Sequence, residues 1–191
     1  DGNKTLKFRH GYNFAGDETP MLADTEEYEF KGWLQGSNVY KFDNTNSVTA
    51  DVTLSPNMKN KIEIKFVIKG QKTFGDEYEQ AEGTDAEYAS NIKKKEGETL
   101  KPSELLDIVK EKINGTIYNK GDMLCKHDGE LISETQPIQV KAPNTLIEFY
   151  VKRQIRTITL DTTQPVNISN VKGAVEIAND NKILKFRYGY N

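Results

Sequence analysis

The densest group of chemically versatile side chains is Cys125-Lys126-His127-Asp128-Gly129-Glu130, a thiol, an imidazole and two carboxylates within six residues. Such a set could ligate a divalent metal or pair a cysteine nucleophile with a histidine base. Structural zinc, however, usually takes two separated ligand pairs, and the chain offers no second cysteine and one further histidine, His10. The His-Asp-Gly string reads instead as the apex of a β-turn, polar because it faces water. No metal site is expected. His10 carries no catalytic expectation either, because a second copy of its surroundings has Tyr188 at the same place. A phenol does not replace an imidazole in proton transfer near neutral pH.

Other catalytic patterns are missing from the sequence. There is no Gly-rich phosphate loop, no G-x-S-x-G and no H-E-x-x-H. Glu26 and Glu27 are adjacent, so in a strand they point to opposite faces and make poor acid and base partners. The expectation is no enzyme, no catalytic residue and no cofactor. Trp33, the single tryptophan, follows Gly32 in an apolar-aromatic run and reads as a core anchor rather than a ligand-stacking platform. Tyr12, Tyr40, Tyr78, Tyr88, Tyr118 and Tyr150 are too many for small cores. Those left outside suit either recognition or the edge of a sheet. The sequons at Asn3, Asn114 and Asn167 matter only in a eukaryotic secretory pathway.

Composition narrows the class of partner. A net charge of −3 over 191 residues, with basic residues spread evenly, argues against a nucleic-acid partner. Hydrophobic residues make up 36% and charged residues 29%, the balance of thin modules with much surface. No run approaches the roughly 20 apolar residues that cross a bilayer. Cys125 is alone, so no intrachain disulfide forms, and cysteine usage leaves the compartment open. Without an initiator Met or a signal peptide, the chain is expected to be excised from a longer precursor.

The elements that must position these residues are mostly strands. Short runs rich in Val, Ile, Thr, Phe and Tyr occur at 6–9, 39–42, 48–54, 62–68, 138–140, 146–151, 155–160, 166–168, 171–177 and 183–188. Turn strings such as GYN, DNTN, SPNMKN, HDGE and ANDN punctuate them. The run from Ile62 alternates so that Ile62, Ile64, Phe66 and Ile68 share one face. One stretch, KPSELLDIVKEKING, reads as helix over about 102–114. Pro102 suits its first turn, Glu104 complements the dipole, Leu105, Leu106, Val109 and Ile113 form the stripe, and Asn114-Gly115 ends it. The charged segment between Gly70 and Gly97 is expected to be a surface loop or a short helix around 86–94.

The chain also repeats itself. DGNKTLKFRHGYN (1–13) and NDNKILKFRYGYN (179–191) share nine of thirteen residues at an offset of 178. That spacing predicts one full period of a tandem repeat plus the start of the next copy. A fainter repeat links VTADVTL (48–54) to VKAPNTL (140–146) at an offset of 92, and LKF at 6–8 matches IKF at 64–66. The period therefore holds two related modules, 1–57 and 61–153, and 155–191 supplies the lead-in strands of the next copy.

Residues 28–56 resemble the Listeria–Bacteroides repeat, the B-repeat of internalin-type surface proteins. Tyr28, Phe30, Gly32 and Trp33 carry its first part, Tyr40 and Phe42 its second, and Val48, Asp51, Thr53 and Leu54 its third. The aromatic expected after the last strand is absent at Ser55-Pro56, and the second module lacks the Gly-Trp pair. The resemblance implies an α+β, mostly β chain of tandem small β-grasp-like modules with short strands and one clear helix. It is similar in architecture to mucus-binding repeats. What it implies for function is a non-catalytic stalk or adhesive repeat of a secreted or wall-anchored bacterial surface protein. Its partners would be neighbouring repeats and a host extracellular protein or glycan. The alternative is a dedicated binding module for mucin, immunoglobulin or another extracellular glycoprotein, recruiting it along a sheet edge. No binding residue can be named from the sequence.

Two structural expectations follow. Phe8, Phe30, Trp33, Phe42, Val52 and Leu54 should form the first core. VEIA and ILKFRY should form a hairpin around Asn179-Asp180-Asn181-Lys182, burying Val175, Ile177, Leu184 and Phe186, with 1–13 and 179–191 in equivalent settings.

Overall fold

The computed structural model describes residues 4–169 and 171–190. The Asn3/Asn181 and Asn13/Asn191 identities and the Asn3 sequon therefore fall outside the described residues at one position each. The chain is mostly β, with several small sheets and one short helix. It divides into two compact units, Asp1–Lys61 and Ile62–Asn191.

In the first unit, β1 (Tyr12–Asn13) pairs with β4 (Ser47–Val48). The second strand, β2 (Tyr28–Gln35), lies between β3 (Asn38–Tyr40) and β5 (Ser55–Asn60), antiparallel to both. The core is a small aromatic cluster in which Phe14, Phe30 and Phe42 are buried. Phe14 meets Phe42 edge-on at 5.3 Å and Trp33 meets Phe30 at 5.6 Å, the tilted geometry that ring quadrupoles favour. Half-buried Trp33 donates its indole N–H to the Pro20 carbonyl at 2.6 Å.

Several expectations for this core are corrected. Phe8 and Val52 are exposed at 39% and 40%, and Leu54 is half-buried. Phe14 takes the central place instead, with the rings of Phe8, Tyr12 and Phe42 around it, and Phe8 is left on the rim of that cluster. Residues 6–9 form no strand, and strand pairing in the 48–54 run stops at Val48.

The second unit is built on β6 (Ile62–Gln71), β7 (Tyr78–Gln80), β8 (Tyr88–Lys94), β9 (Thr99–Leu100), α1 (Leu106–Lys112), β10 (Tyr118–His127), β11 (Glu130–Ile132), β12 (Ile138–Gln139) and β13 (Thr145–Arg153). Its main sheet runs β11-β10-β13-β6-β7, with β8 also paired to β6. Every pairing is antiparallel except β13 with β6, which are parallel from Thr145↔Ile64 to Val151↔Gly70. Strict alternation puts Ile62, Ile64, Phe66 and Ile68 of β6 and Ile147, Phe149 and Val151 of β13 in one core.

A 3-10 turn at Pro102–Leu105 leads into α1, and Leu105, Val109 and Ile113 are buried against that core. Leu106 sits half-buried on its flank. The turn is fixed by Glu104, whose Oε1 accepts the Lys101 N–H at 2.8 Å while Oε2 meets Lys94 Nζ at 2.8 Å. The α-helix ends at Lys112 because Ile113 has extended backbone, slightly short of the expected end. The segment between Gly70 and Gly97 forms no helix, and its turns and coil at 72–77 and 81–87 alternate with strands. It contributes β7 and β8, strands with so few large apolar side chains that the alternation is hidden.

The remaining strands, β14 (Ile155–Thr159), β15 (Glu176–Ala178) and β16 (Ile183–Arg187), form a three-stranded sheet ordered β14-β16-β15. The expected hairpin is present, with Asn179, Asp180 and Asn181 at φ of 52°, 50° and 67°. Asn and Asp tolerate this left-handed region better than other non-glycine residues. Leu184 is buried and Phe186 half-buried, but Val175 and Ile177 are exposed at 44% and 40%. The equivalence of the repeated segments holds in part: Tyr12 and Tyr190 donate their amides to the Arg9 and Arg187 carbonyls at 3.0 and 3.1 Å, and the Phe8–Tyr12 and Phe186–Tyr190 rings meet at 5.1 and 5.0 Å. It fails at the leucines, since Leu6 is 57% exposed in coil and Leu184 is 6% exposed in a strand. Two partner strands flank Leu184, and none flanks Leu6. No helix among the described residues is long and apolar enough to cross a membrane.

Candidate functional site

Cys125 and His127 sit on β10, and Asp128-Gly129 turns the chain into β11, pairing His127 with Glu130. Both turn residues have positive φ, 51° and 82°, the two-residue turn whose twist matches a hairpin. The Cys125 side chain points into the core opposite Ile132 and Phe149. Burial, with a smaller contribution from Glu134, pushes its thiol up to about 11. At neutral pH it is a thiol and not the thiolate a nucleophile or metal ligand needs. His127 Nδ1 lies 2.9 Å from the Leu146 carbonyl, so it carries the hydrogen and donates. Its Nε2 is 3.5 Å from Asp128 Oδ2. Among the described residues, no three His, Cys, Asp or Glu side chains converge as metal ligands would. His10 is exposed.

A second group gathers around Arg153, whose guanidinium is buried. Its Nε donates to the Gln71 carbonyl at 2.8 Å, Nη1 donates to the Tyr188 carbonyl at 3.2 Å, and Nη2 pairs with Glu82 Oε1. The guanidinium also lies 5.4 Å from the Tyr118 ring centroid. Tyr118 is buried, and its hydroxyl accepts the Glu82 N–H at 3.0 Å. Burial raises the Tyr118 pKa, partly offset by the Glu82 amide and the Arg153 charge. Beside this group is an open cavity of about 340 Å³, lined by Gln71, Asn119, Asp122, Lys152, Arg187 and Val175 among others. Its charges are largely engaged: Lys152 pairs with Asp122 at 2.9 Å, and Arg187 pairs with Asp76 at 2.7 Å. This group ties strands together rather than presenting reactive atoms.

Known protein families, curated proteins and solved structures offer no match to this chain.

The sheet face opposite α1 is the other notable surface. Tyr150 stands beside Leu124 in register, meets Tyr78 edge-on at 5.2 Å and lies under Lys126 Nζ at 4.8 Å. Leu124 and Leu131 are exposed at 41% and 62%. Of the tyrosines left ambiguous by sequence, Tyr118 is core, whereas Tyr12, Tyr40, Tyr78, Tyr88 and Tyr150 are half-buried. The sequence reading missed Arg153, although a signal for it exists. It is the one charged residue among the inward positions Ile147, Phe149, Val151 and Arg153 of an otherwise apolar alternation.

Proposed function

We propose that the chain is a non-catalytic tandem-repeat module of a large secreted or cell-wall-anchored bacterial surface protein, serving as stalk and multivalent adhesive repeat. The observation that carries this reading is the duplicated segment at an offset of 178 residues. Weak sites repeated along one chain gain avidity without any new contact, which gives such repetition a use. The strand order of the second unit supports a β-grasp-like module. The first and last strands of its main sheet, β6 and β13, lie parallel at the centre, antiparallel strands flank each, and one helix packs on the core. Antibody against the 191-residue chain is expected to label intact cells of the source organism, and labelling only after permeabilisation would overturn the surface location.

A second reading, a dedicated binder of mucin, immunoglobulin or another host glycoprotein, draws on one observation. The outer strand β11 carries exposed Leu131 next to the Tyr150 face, and an edge strand can recruit a partner strand. Saturable micromolar capture of one such glycoprotein by a single repeat favours this reading over the stalk.

A further inference from the structure

Building on the stalk reading, we propose that the second unit bears tensile load along the chain, with the parallel β6/β13 pair as its clamp. β6 begins at Ile62 and β13 ends at Arg153. Because the two strands are parallel neighbours in register, the start of one and the end of the other lie at opposite ends of the pair. Tension applied at those two points acts along the strands. It loads the inter-strand hydrogen bonds across all seven register pairs together, instead of breaking them one after another. Individually weak bonds that must yield together give a high barrier to forced unfolding, which is governed by the unfolding rate.

The surroundings reinforce that geometry. Each clamp strand is also held on its other edge, β13 by β10 and β6 by β7 and β8. At the exit point Arg153 donates its backbone N–H to Gln71 Oε1 at 3.3 Å and its Nε to the Gln71 carbonyl at 2.8 Å. With Arg153 only 5% exposed, water has little access to replace these bonds as they strain.

The sheet that follows is oriented the opposite way. β16 is antiparallel to β14, with Arg187 facing Ile155 at the end where the chain leaves. Tension from beyond residue 188 peels this sheet pair by pair from that end. It therefore opens first and releases roughly 12 nm, at about 3.5 Å per residue over 155–188.

The test is single-molecule pulling on the full chain in a Cys125→Ala background, with handles on introduced cysteines. Lys61→Cys with Lys152→Cys loads the pair in shear, whereas Lys72→Cys with Lys152→Cys places both handles at one end and peels it. Glu63→Cys reproduces the first geometry should the Lys61 handle disturb folding. The expected result is a clearly higher unfolding force in shear, in one event. Equal forces in the two geometries, or a lower force in shear, would overturn the proposal. The outcome is independent of cell labelling. A weak clamp leaves the surface reading standing, and an intracellular chain still reports its clamp.

Discussion

Tyr118 covers Gly70 so closely that a β-carbon at residue 70 would lie 2.7 Å from the ring Cε1 and closer still to the hydroxyl. This explains a glycine one residue from the end of the central strand β6, where it otherwise weakens pairing. Gly70→Ala is expected to cost about 1–3 kcal/mol through overpacking, read as a lower urea midpoint. Tyr118→Phe, which removes the acceptor for the Glu82 amide, should cost about 1 kcal/mol.

Arg153→Met keeps the length of the side chain and removes its charge. The Gln71 and Tyr188 carbonyls lose a donor, while Glu82, half-exposed, turns to water. The expected loss is about 2 kcal/mol. Hydrogen exchange should show reduced protection at Tyr188, whose amide donates to the Gln154 carbonyl. Unchanged exchange there would refute the role of Arg153 in holding the last sheet.

The Cys125 thiol should resist alkylation in the folded chain at pH 8 and react once the chain is unfolded in urea. A thiol raised from 9.0 to about 11 is protonated in the fold. Its linkage to stability is fully present below pH 9 and fades as pH rises towards 11. Rapid modification under native conditions would contradict its burial.

Acid should act through Glu104, among others. Burial raises its pKa, but the Lys94 ammonium and the Lys101 amide outweigh that and hold it below 4.5. A depressed carboxylate contributes stability above its unfolded value and loses it as pH falls through the folded value. Glu104→Gln should therefore narrow the difference in urea midpoint between pH 7 and pH 3.5. The effect is modest because the side chain is 40% exposed.

How legible the fold was varied with the strength of its local patterns. The Ile62, Ile64, Phe66, Ile68 face and the Leu105, Val109, Ile113 stripe were readable because burial on one side imposes a strict period. The Asn179–Asn181 turn was readable because few residues accept left-handed backbone. β7 and β8 were not, since strands with few large apolar residues, YEQ and YASNIKK, carry little period-two signal. Phe14 and Phe8 could not be ranked from sequence, because which ring goes inside is decided by the rings from Tyr12 and Phe42. The Arg153 group was hidden for the same reason, as its partners Gln71, Glu82 and Tyr188 are distant in sequence.

The duplicated Leu-Lys-Phe triplet, within strand β16 at 184–186 and in exposed coil at 6–8, creates a competitor during synthesis. Leu6–Lys7–Phe8 leaves the ribosome long before Leu184–Lys185–Phe186, with the same side chains to offer β14. The local copy has the shorter loop to close, 26 residues from Ile158 to Leu184 against 152 from Ile158 to Leu6. On loop entropy alone that favours correct pairing by about 1.6 kcal/mol, a modest margin. Of the four positions where the two segments differ, only Thr5/Ile183 falls within β16, so side-chain identity adds little to that margin, and a swapped arm is the characteristic error such a duplication invites.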